Sequence, residues 1–317
     1  MTVTQTQPAI MRTDTEGSLA RVVSVGRNAA WIVFDHEAYA RTASVPKRLE
    51  RLSLVPGDRV VARPLDDDRA VVDRREPRDF SLERRTAGGR TKTMAANVDN
   101  LAIVAALEHP PLHLPMIDEL LAFAELHSLR ALIVFTKPDL AGPQRVAEAI
   151  APYARIGYAA RSVDPKHGDG VAELAADLSG RRSLLIGQSG VGKSSLFRAL
   201  GGESTIGEVS RFGRGRQTTT SARLHRFDDG FLIDSPGVGE FALDPAVANT
   251  DAAWSAEVAS GFIDFTPYIG SCRFTDCTHR VEPACAIRDA ALAGAIAPSR
   301  YASYLIIVGR DGIEPAQ

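Results

Sequence analysis

Thr136-Lys137-Pro138-Asp139 stands upstream of Gly187-Gln188-Ser189-Gly190-Val191-Gly192-Lys193-Ser194, and Asp234-Ser235-Pro236-Gly237 follows both. The first string is a base reader of the [NT]-K-x-D type, the second a G-x-x-x-x-G-K-[ST] phosphate loop, and the third a magnesium and γ-phosphate motif. Each closes a short apolar run of the kind that forms a buried strand. In an ordinary GTPase the phosphate loop leads and the base reader follows. The rotated order predicts a circularly permuted P-loop GTPase domain.

The residue chemistry specifies the ligand. Glycines 187, 190 and 192 let backbone N–H groups close around phosphates, and the helix starting at Lys193 adds its positive end. Lys193 is expected on the β- and γ-phosphates, Ser194 on magnesium, and Ser195 in the same nucleotide-binding run. The carboxylate of Asp139 can accept from the N1–H and 2-amino group of guanine, where adenine offers neither donor, and charge-assisted bonds of this kind contribute about 1.5–3 kcal/mol each. Lys137 would lay its aliphatic stem along the base. A second base-side loop is expected within residues 158–162, without a residue being singled out. Asp234 would hold magnesium through water, and Gly237 would donate its N–H to the γ-phosphate.

Residues 207–220 read G-E-V-S-R-F-G-R-G-R-Q-T-T-T, a glycine- and arginine-rich first switch with Thr218, Thr219 and Thr220 as candidate magnesium or phosphate ligands. Val238 follows Gly237 where many GTPases place a water-orienting glutamine. Slow basal hydrolysis is therefore expected.

Apolar runs at 101–107, 131–135, 183–186 and 231–233 alternate with helical patterns at 117–129, 144–150, 171–178 and 193–200. That alternation fits a mostly parallel sheet covered on both faces. Upstream, five short β-rich runs at 19–25, 30–34, 43–45, 59–62 and 70–72, separated by turn residues, suit a small barrel of OB type or another small β-module. Between them, residues 74–92 carry seven basic side chains against three acidic, and Gly88-Gly89. This reads as a connector, either solvated or in contact with phosphate backbones.

All three cysteines, Cys272, Cys277 and Cys285, fall in one stretch with His279. An odd, clustered set without an export signal predicts a metal site, and three sulfurs with one imidazole form a closed zinc set of the structural kind. The expected organisation is a disordered tail over 1–16, a barrel over 17–75, the connector over 76–95, the permuted GTPase domain over 96–244 and a mostly helical zinc domain over 245–317. The 317 residues carry a net charge of −2, which excludes a wholesale polyanion binder. The longest apolar run is far short of the ~20 residues of a membrane span. A cytoplasmic monomer is expected, with no membrane or DNA partner.

Asn97-Val98-Asp99, the phosphate loop through Ser195, Asp234 to Val238 and the full Cys-His pattern together resemble the ribosome small-subunit-dependent GTPase A family of bacteria, from about residue 17 to 304. The resemblance implies an OB-fold, a permuted GTPase domain and a zinc domain, with the barrel, the basic connector and the zinc domain in contact with ribosomal RNA. It also implies a magnesium-dependent GTP hydrolase that binds the small subunit and its rRNA late in maturation and is stimulated by it. Two positions depart from the family pattern: Thr136 replaces asparagine, and Gln217 replaces a histidine of the first switch to which the family's catalysis is ascribed, where a glutamine amide could still orient the attacking water. An RNA-binding module that only senses nucleotide occupancy is the second reading; an ATP-using P-loop enzyme is the third, opposed by Asp139.

Overall fold

Period-two burial builds the N-terminal barrel. In the computed structural model, which describes residues 17–26, 29–37, 39–47, 53–85, 91–202, 223–234, 243 and 250–309, five strands close on one another. They are β1 (Ser18–Val25), β2 (Ala29–Phe34), β3 (Ala40–Ser44), β4 (Arg59–Pro64) and β5 (Arg69–Arg75). Their order is β1-β2-β3-β5-β4, with β3 and β5 parallel and the other pairs antiparallel, which is the OB arrangement. Ala30, Ile32 and Phe34 of β2 point inward with Val22, Val60 and Val72, as strand alternation dictates.

The expected connector carries regular structure. β6 (Ser81–Arg85) and β7 (Thr91–Ala96) pair as an antiparallel hairpin, while Gly88-Gly89 lie outside the described residues. Behind it, Asn97 joins the barrel to the next domain. Its amide donates to Gly57 O at 3.0 Å and its Oδ1 accepts from Asp79 N at 2.8 Å. Gly57 is required there: its φ is +93°, and a Cβ would lie 2.1 Å from Ala96 O. Asp99 accepts from the backbone N and the Nε of Arg182, at 2.9 and 2.8 Å.

The central sheet has the order β10-β9-β8-β11-β13-β12, formed by β8 (Asn100–Ala106), β9 (Arg130–Thr136), β10 (Ala159–Val163), β11 (Arg182–Ile186), β12 (Arg223–Phe227) and β13 (Gly230–Asp234). All neighbours are parallel except the edge strand β12. Every residue of β8 is buried, as a strand covered on both faces requires. Helices α1 (Leu114–Leu126) and α3 (Pro143–Arg155) cover one face, and α4 (Val171–Leu178) and α5 (Lys193–Ala199) the other; α2 (Pro138–Ala141) is a single turn after β9. Helix α1 begins three residues before the expected start, because His113 caps it through Met116 N at 3.2 Å and a proline occupies its first turn.

The core on the α1 face continues into the C-terminal residues. Helices α6 (Asp251–Ser260), α7 (Ala286–Leu292) and α8 (Pro298–Val308), with a 3-10 turn at Ile263–Tyr268, share one apolar cluster with α1 through Phe262, Phe265, Tyr304 and Ile307. At its centre Arg300, 1% exposed, reaches Asp118 of α1 at 2.8 Å and Asp264 at 2.6 Å. Arg300 is the shared cation of this buried trio, so its loss would leave two buried carboxylates without their partner. Among the described residues no helix is long and apolar enough to cross a membrane.

Candidate functional site

Strand order switches sides at the middle of the sheet. From β8 the chain steps outward to β9 and β10; β11 then pairs on the other side of β8, and the rest of the sheet, the edge strand β12 and then β13 against β11, lies on that side. A ligand crevice forms outside the carboxyl ends of strands at such a switch point. The loop Gly187–Gly192 lies there, beyond β11. Gly187 must be glycine, since a Cβ would lie 2.0 Å from Val104 O of β8. Gly190 and Gly192 have φ of +78° and +99°, and helix α5 begins at Lys193. Gln188, Ser189, Val191 and Ser195 sit in the same loop and first helical turn, with Val191 buried and Ser195 exposed.

Lys193 is 6% exposed, and its ammonium donates to Gly187 O at 2.8 Å and Gln188 O at 2.6 Å. Burial lowers its pKa, while Asp234 opposes the shift. Ser194 Oγ donates to Asp234 Oδ2 at 3.3 Å. Asp234 closes β13, is 8% exposed, and its Oδ1 has no hydrogen-bond partner among the described residues. Burial raises its pKa, opposed by the Ser194 hydrogen bond and by the charges of Lys193 and Arg223. A half-satisfied buried carboxylate beside a serine hydroxyl and an ammonium is suited to a hydrated divalent cation next to phosphates.

The loop expected to read the base stands two strands over, beyond β9 with β8 between. Thr136 ends β9 with its hydroxyl turned to the phosphate loop, 2.5 Å from Val191 O and 3.3 Å from Ala105 O. Lys137 adopts the left-handed conformation at φ 58° and donates to Gly190 O at 2.9 Å and also to His109 O. Pro138 and Asp139 open α2, and the exposed Asp139 carboxylate makes no hydrogen bond among the described residues. The expected second base-side loop differs from the structure. Residues 159–163 are strand β10, whose Val163 pairs with Thr136. The loop beside the base reader therefore starts at Asp164, whose side chain is tied to His167 Nδ1 at 2.7 Å. Gln217, Thr218, Thr219, Thr220, Gly237 and Val238 lie outside the described residues.

The four metal-ligand candidates converge, their donor atoms all within 4.8 Å of one another. Cys272 Sγ is 3.9 Å from Cys285 Sγ, and His279 Nδ1 is 3.4 Å from Cys272 Sγ and 3.5 Å from Cys285 Sγ. Metal–sulfur bonds of about 2.3 Å in a tetrahedron give edges of roughly 3.8 Å, so this donor set fits one tetrahedral ion. Burial pushes the Cys277 thiol up to about 12 and lowers His279, both in the direction of the neutral group. Tyr301 OH and Tyr304 OH donate to His279 O and Thr278 O, both at 2.8 Å, and hold the ligand loop from α8.

Two links to the site were not foreseen from the sequence. The barrel grips the edge of the sheet: Arg21 lies 4.1 Å from the Phe231 ring centroid, and Arg226 donates to Asp35 O and Glu37 O at 3.3 and 3.1 Å. Phe231 shares β13 with Asp234. On the far side, Glu119, next to the Asp118 that binds Arg300, accepts from Leu243 N at 2.9 Å. Arginines in β-rich stretches and acids inside an apolar helix signal such contacts only once their partners are known.

A model of the RsgA GTPase family matches residues 75–244. The small ribosomal subunit biogenesis GTPase RsgA of Azotobacter vinelandii is 42% identical over 259 residues, 80% of this chain and 73% of its own. The protein of the same name from Gemmatimonas aurantiaca is 38% identical over 312 residues, 93% of this chain and 97% of its own. The crystal structure of YjeQ from Thermotoga maritima superposes with a TM-score of 0.72 at 28% identity, over 94% of this chain and 99% of that one. YloQ, a circularly permuted GTPase, is alike in fold, with a TM-score of 0.68 at 20% identity over 96% and 97% of the two chains.

Proposed function

The chain belongs to the RsgA GTPase family, and from that membership we propose that it hydrolyses GTP in the biogenesis of the small ribosomal subunit, docking on that subunit through rRNA. One observation carries the catalytic reading. Asp139, Lys193 and Asp234, far apart in a permuted chain, are brought to the same end of the sheet, beyond the carboxyl ends of β9, β11 and β13, with β8 between the first two.

In this reading Asp139 accepts from the guanine N1–H and 2-amino group, and Lys137 flanks the base while bracing Gly190. The N–H groups of the phosphate loop bind the α- and β-phosphates. Lys193 leaves the carbonyls of Gly187 and Gln188 for the β- and γ-phosphates, offsetting charge in the transition state. Ser194 and Asp234 would hold magnesium, with Thr219 as a further ligand; when bound, the ion neutralises charge on the β- and γ-oxygens. Gln217 orients the attacking water, Thr218 shares the first switch with it, and Gly237 donates to the γ-phosphate. The Cys272, Cys277, His279 and Cys285 set would hold one zinc ion, because three thiolates and an imidazole suit zinc and leave no open position. That ion holds the fold and takes no part in hydrolysis.

The barrel's grip on β12 and β13 supports a route from subunit docking to Asp234. A monomer working in the cytoplasm, without membrane or DNA partners, completes the proposal. Co-sedimentation with purified small subunits tests it: the chain loaded with a non-hydrolysable GTP analogue should pellet with the subunits, and the GDP form should pellet less. No sedimentation in either state overturns the reading. Binding without stimulated turnover favours nucleotide sensing alone.

A further inference from the structure

The surface beside the metal loop has a character that the nucleotide site does not explain. A cleft of about 600 Å³ lies between the start of α6 and the metal-binding loop, lined by Asp251, Phe274, Asp276, Val281 and Glu282 among others. Two large apolar side chains face solvent there, Phe274 at 40% and Val281 at 69% exposure. The loop cannot turn them inward at will. Glu282 accepts hydrogen bonds from Thr278 N, Arg280 N and Val281 N at 2.8, 3.1 and 3.2 Å, and from the Thr278 hydroxyl at 2.5 Å. Val281 is thus displayed on a turn pinned by its neighbour Glu282 and, through His279 O, by Tyr301.

The charged side chains that line this apolar floor have one sign. Asp251, Asp276 and Glu282 line the cleft and no lysine or arginine does. Among the described residues neither Asp251 nor Asp276 has a cationic partner. Two cations of the same loop stand outside that lining: Arg273, its guanidinium 5.6 Å from the Phe274 ring centroid, and Arg280, which precedes Val281. The positive end of α6 does not make this an anion site, because Thr250 caps Ala253 N at 3.1 Å and Asp251 occupies the first turn. Phosphate backbones are repelled by such a surface, and basic segments with an apolar side chain are attracted.

We infer that this cleft docks a lysine- or arginine-rich protein segment of the small subunit, anchored by an aliphatic or aromatic side chain against Phe274 and Val281. The inference rests on the proposed small-subunit function. It divides the labour within the C-terminal residues, giving this face to a ribosomal protein and leaving RNA to other surfaces.

Charge reversal gives the test a sign. Full-length Asp251→Lys and, separately, Val281→Ser are titrated against purified small subunits with a non-hydrolysable GTP analogue. Each should weaken binding by about three- to tenfold, with GTP affinity and metal content unchanged. A photoreactive phenylalanine analogue at position 281 should crosslink to a subunit protein. Tighter binding by Asp251→Lys, or a crosslink to rRNA, would show that the cleft faces nucleic acid and overturn the inference. A crosslink to a second copy of the chain, or unchanged affinity of both variants, overturns it as well. If the wild-type chain itself does not bind subunits, the functional reading fails and this one with it; if it binds and the variants match it, only this inference fails.

Discussion

The Thr136 hydroxyl donates to the carbonyl of Val191 at 2.5 Å, tying the base loop to the phosphate loop across two strands. A hydroxyl has one proton, and both carbonyls within reach, Val191 O and Ala105 O, belong to the protein. Thr136 therefore acts as a strut, and no donor is left on this side chain for the base. Thr136→Val should weaken GTP and GDP alike, by roughly fivefold for one lost hydrogen bond of about 1 kcal/mol. The preference over ATP should stay intact. A selective loss of guanine preference, measured with fluorescent nucleotides, would contradict the strut.

In the proposed function, base choice falls to Asp139. Asp139→Ala should abolish the preference for GTP over ATP without unfolding the chain, because the residue is exposed at the first turn of α2. Competition binding checks this, and equal wild-type affinity for both nucleotides would refute the assignment.

Lys193→Ala should cut turnover on the order of a hundredfold or more, the usual loss when one preorganised charge on the reacting group is removed. Retained turnover in a single-turnover assay would mean that another cation serves the γ-phosphate.

Zinc at one equivalent per chain is expected, and Cys277→Ser should release it. The metal loop packs into the same core as α1, so chelation should lower the melting temperature of the chain as a whole. Elemental analysis below about a tenth of an equivalent in folded protein would contradict the site.

How much of this was legible depended on where each signal resides. The phosphate loop and the cysteine cluster announce themselves because their chemistry forces residue types at fixed spacing. The hairpin of β6 and β7 was hidden because Arg84, Arg85 and Lys92 read as a solvated charge run, and backbone pairing needs no apolar pattern. Edge strands β10 and β12, A-A-R-S-V and R-L-H-R-F, are half polar and lack strand periodicity. The Arg300, Asp118 and Asp264 trio joins residues far apart in sequence, and one chain gives no local sign of that pairing. The Thr136 strut was likewise invisible, since its identity as a base-loop residue said nothing of which way the hydroxyl turns.

Glu282 offers a pH test. Burial alone would raise its pKa, but hydrogen bonds from Thr278 and the following backbone hold it at about 2, against 4.5 unfolded. A depressed carboxylate stabilises the fold at pH above the unfolded value, and the contribution is lost as pH falls from about 4.5 toward 2. Glu282→Gln should therefore destabilise by about 1 kcal/mol at neutral pH, a value reduced by its partial exposure. The gap to wild type should close in acid. Thermal melts across this window check it, and a gap independent of pH would exclude the charged form as the cause.

The most direct test of the central claim is GTP turnover by the full chain, with and without purified small ribosomal subunits, at two salt concentrations. The free chain should turn over at or below the ~10⁻² s⁻¹ of unassisted GTPases. Subunits should stimulate it strongly, salt should erode the effect through phosphate contacts, and Gln217→Ala should lose most of the stimulated rate with little change in GTP affinity. Equal turnover with and without subunits would contradict the account.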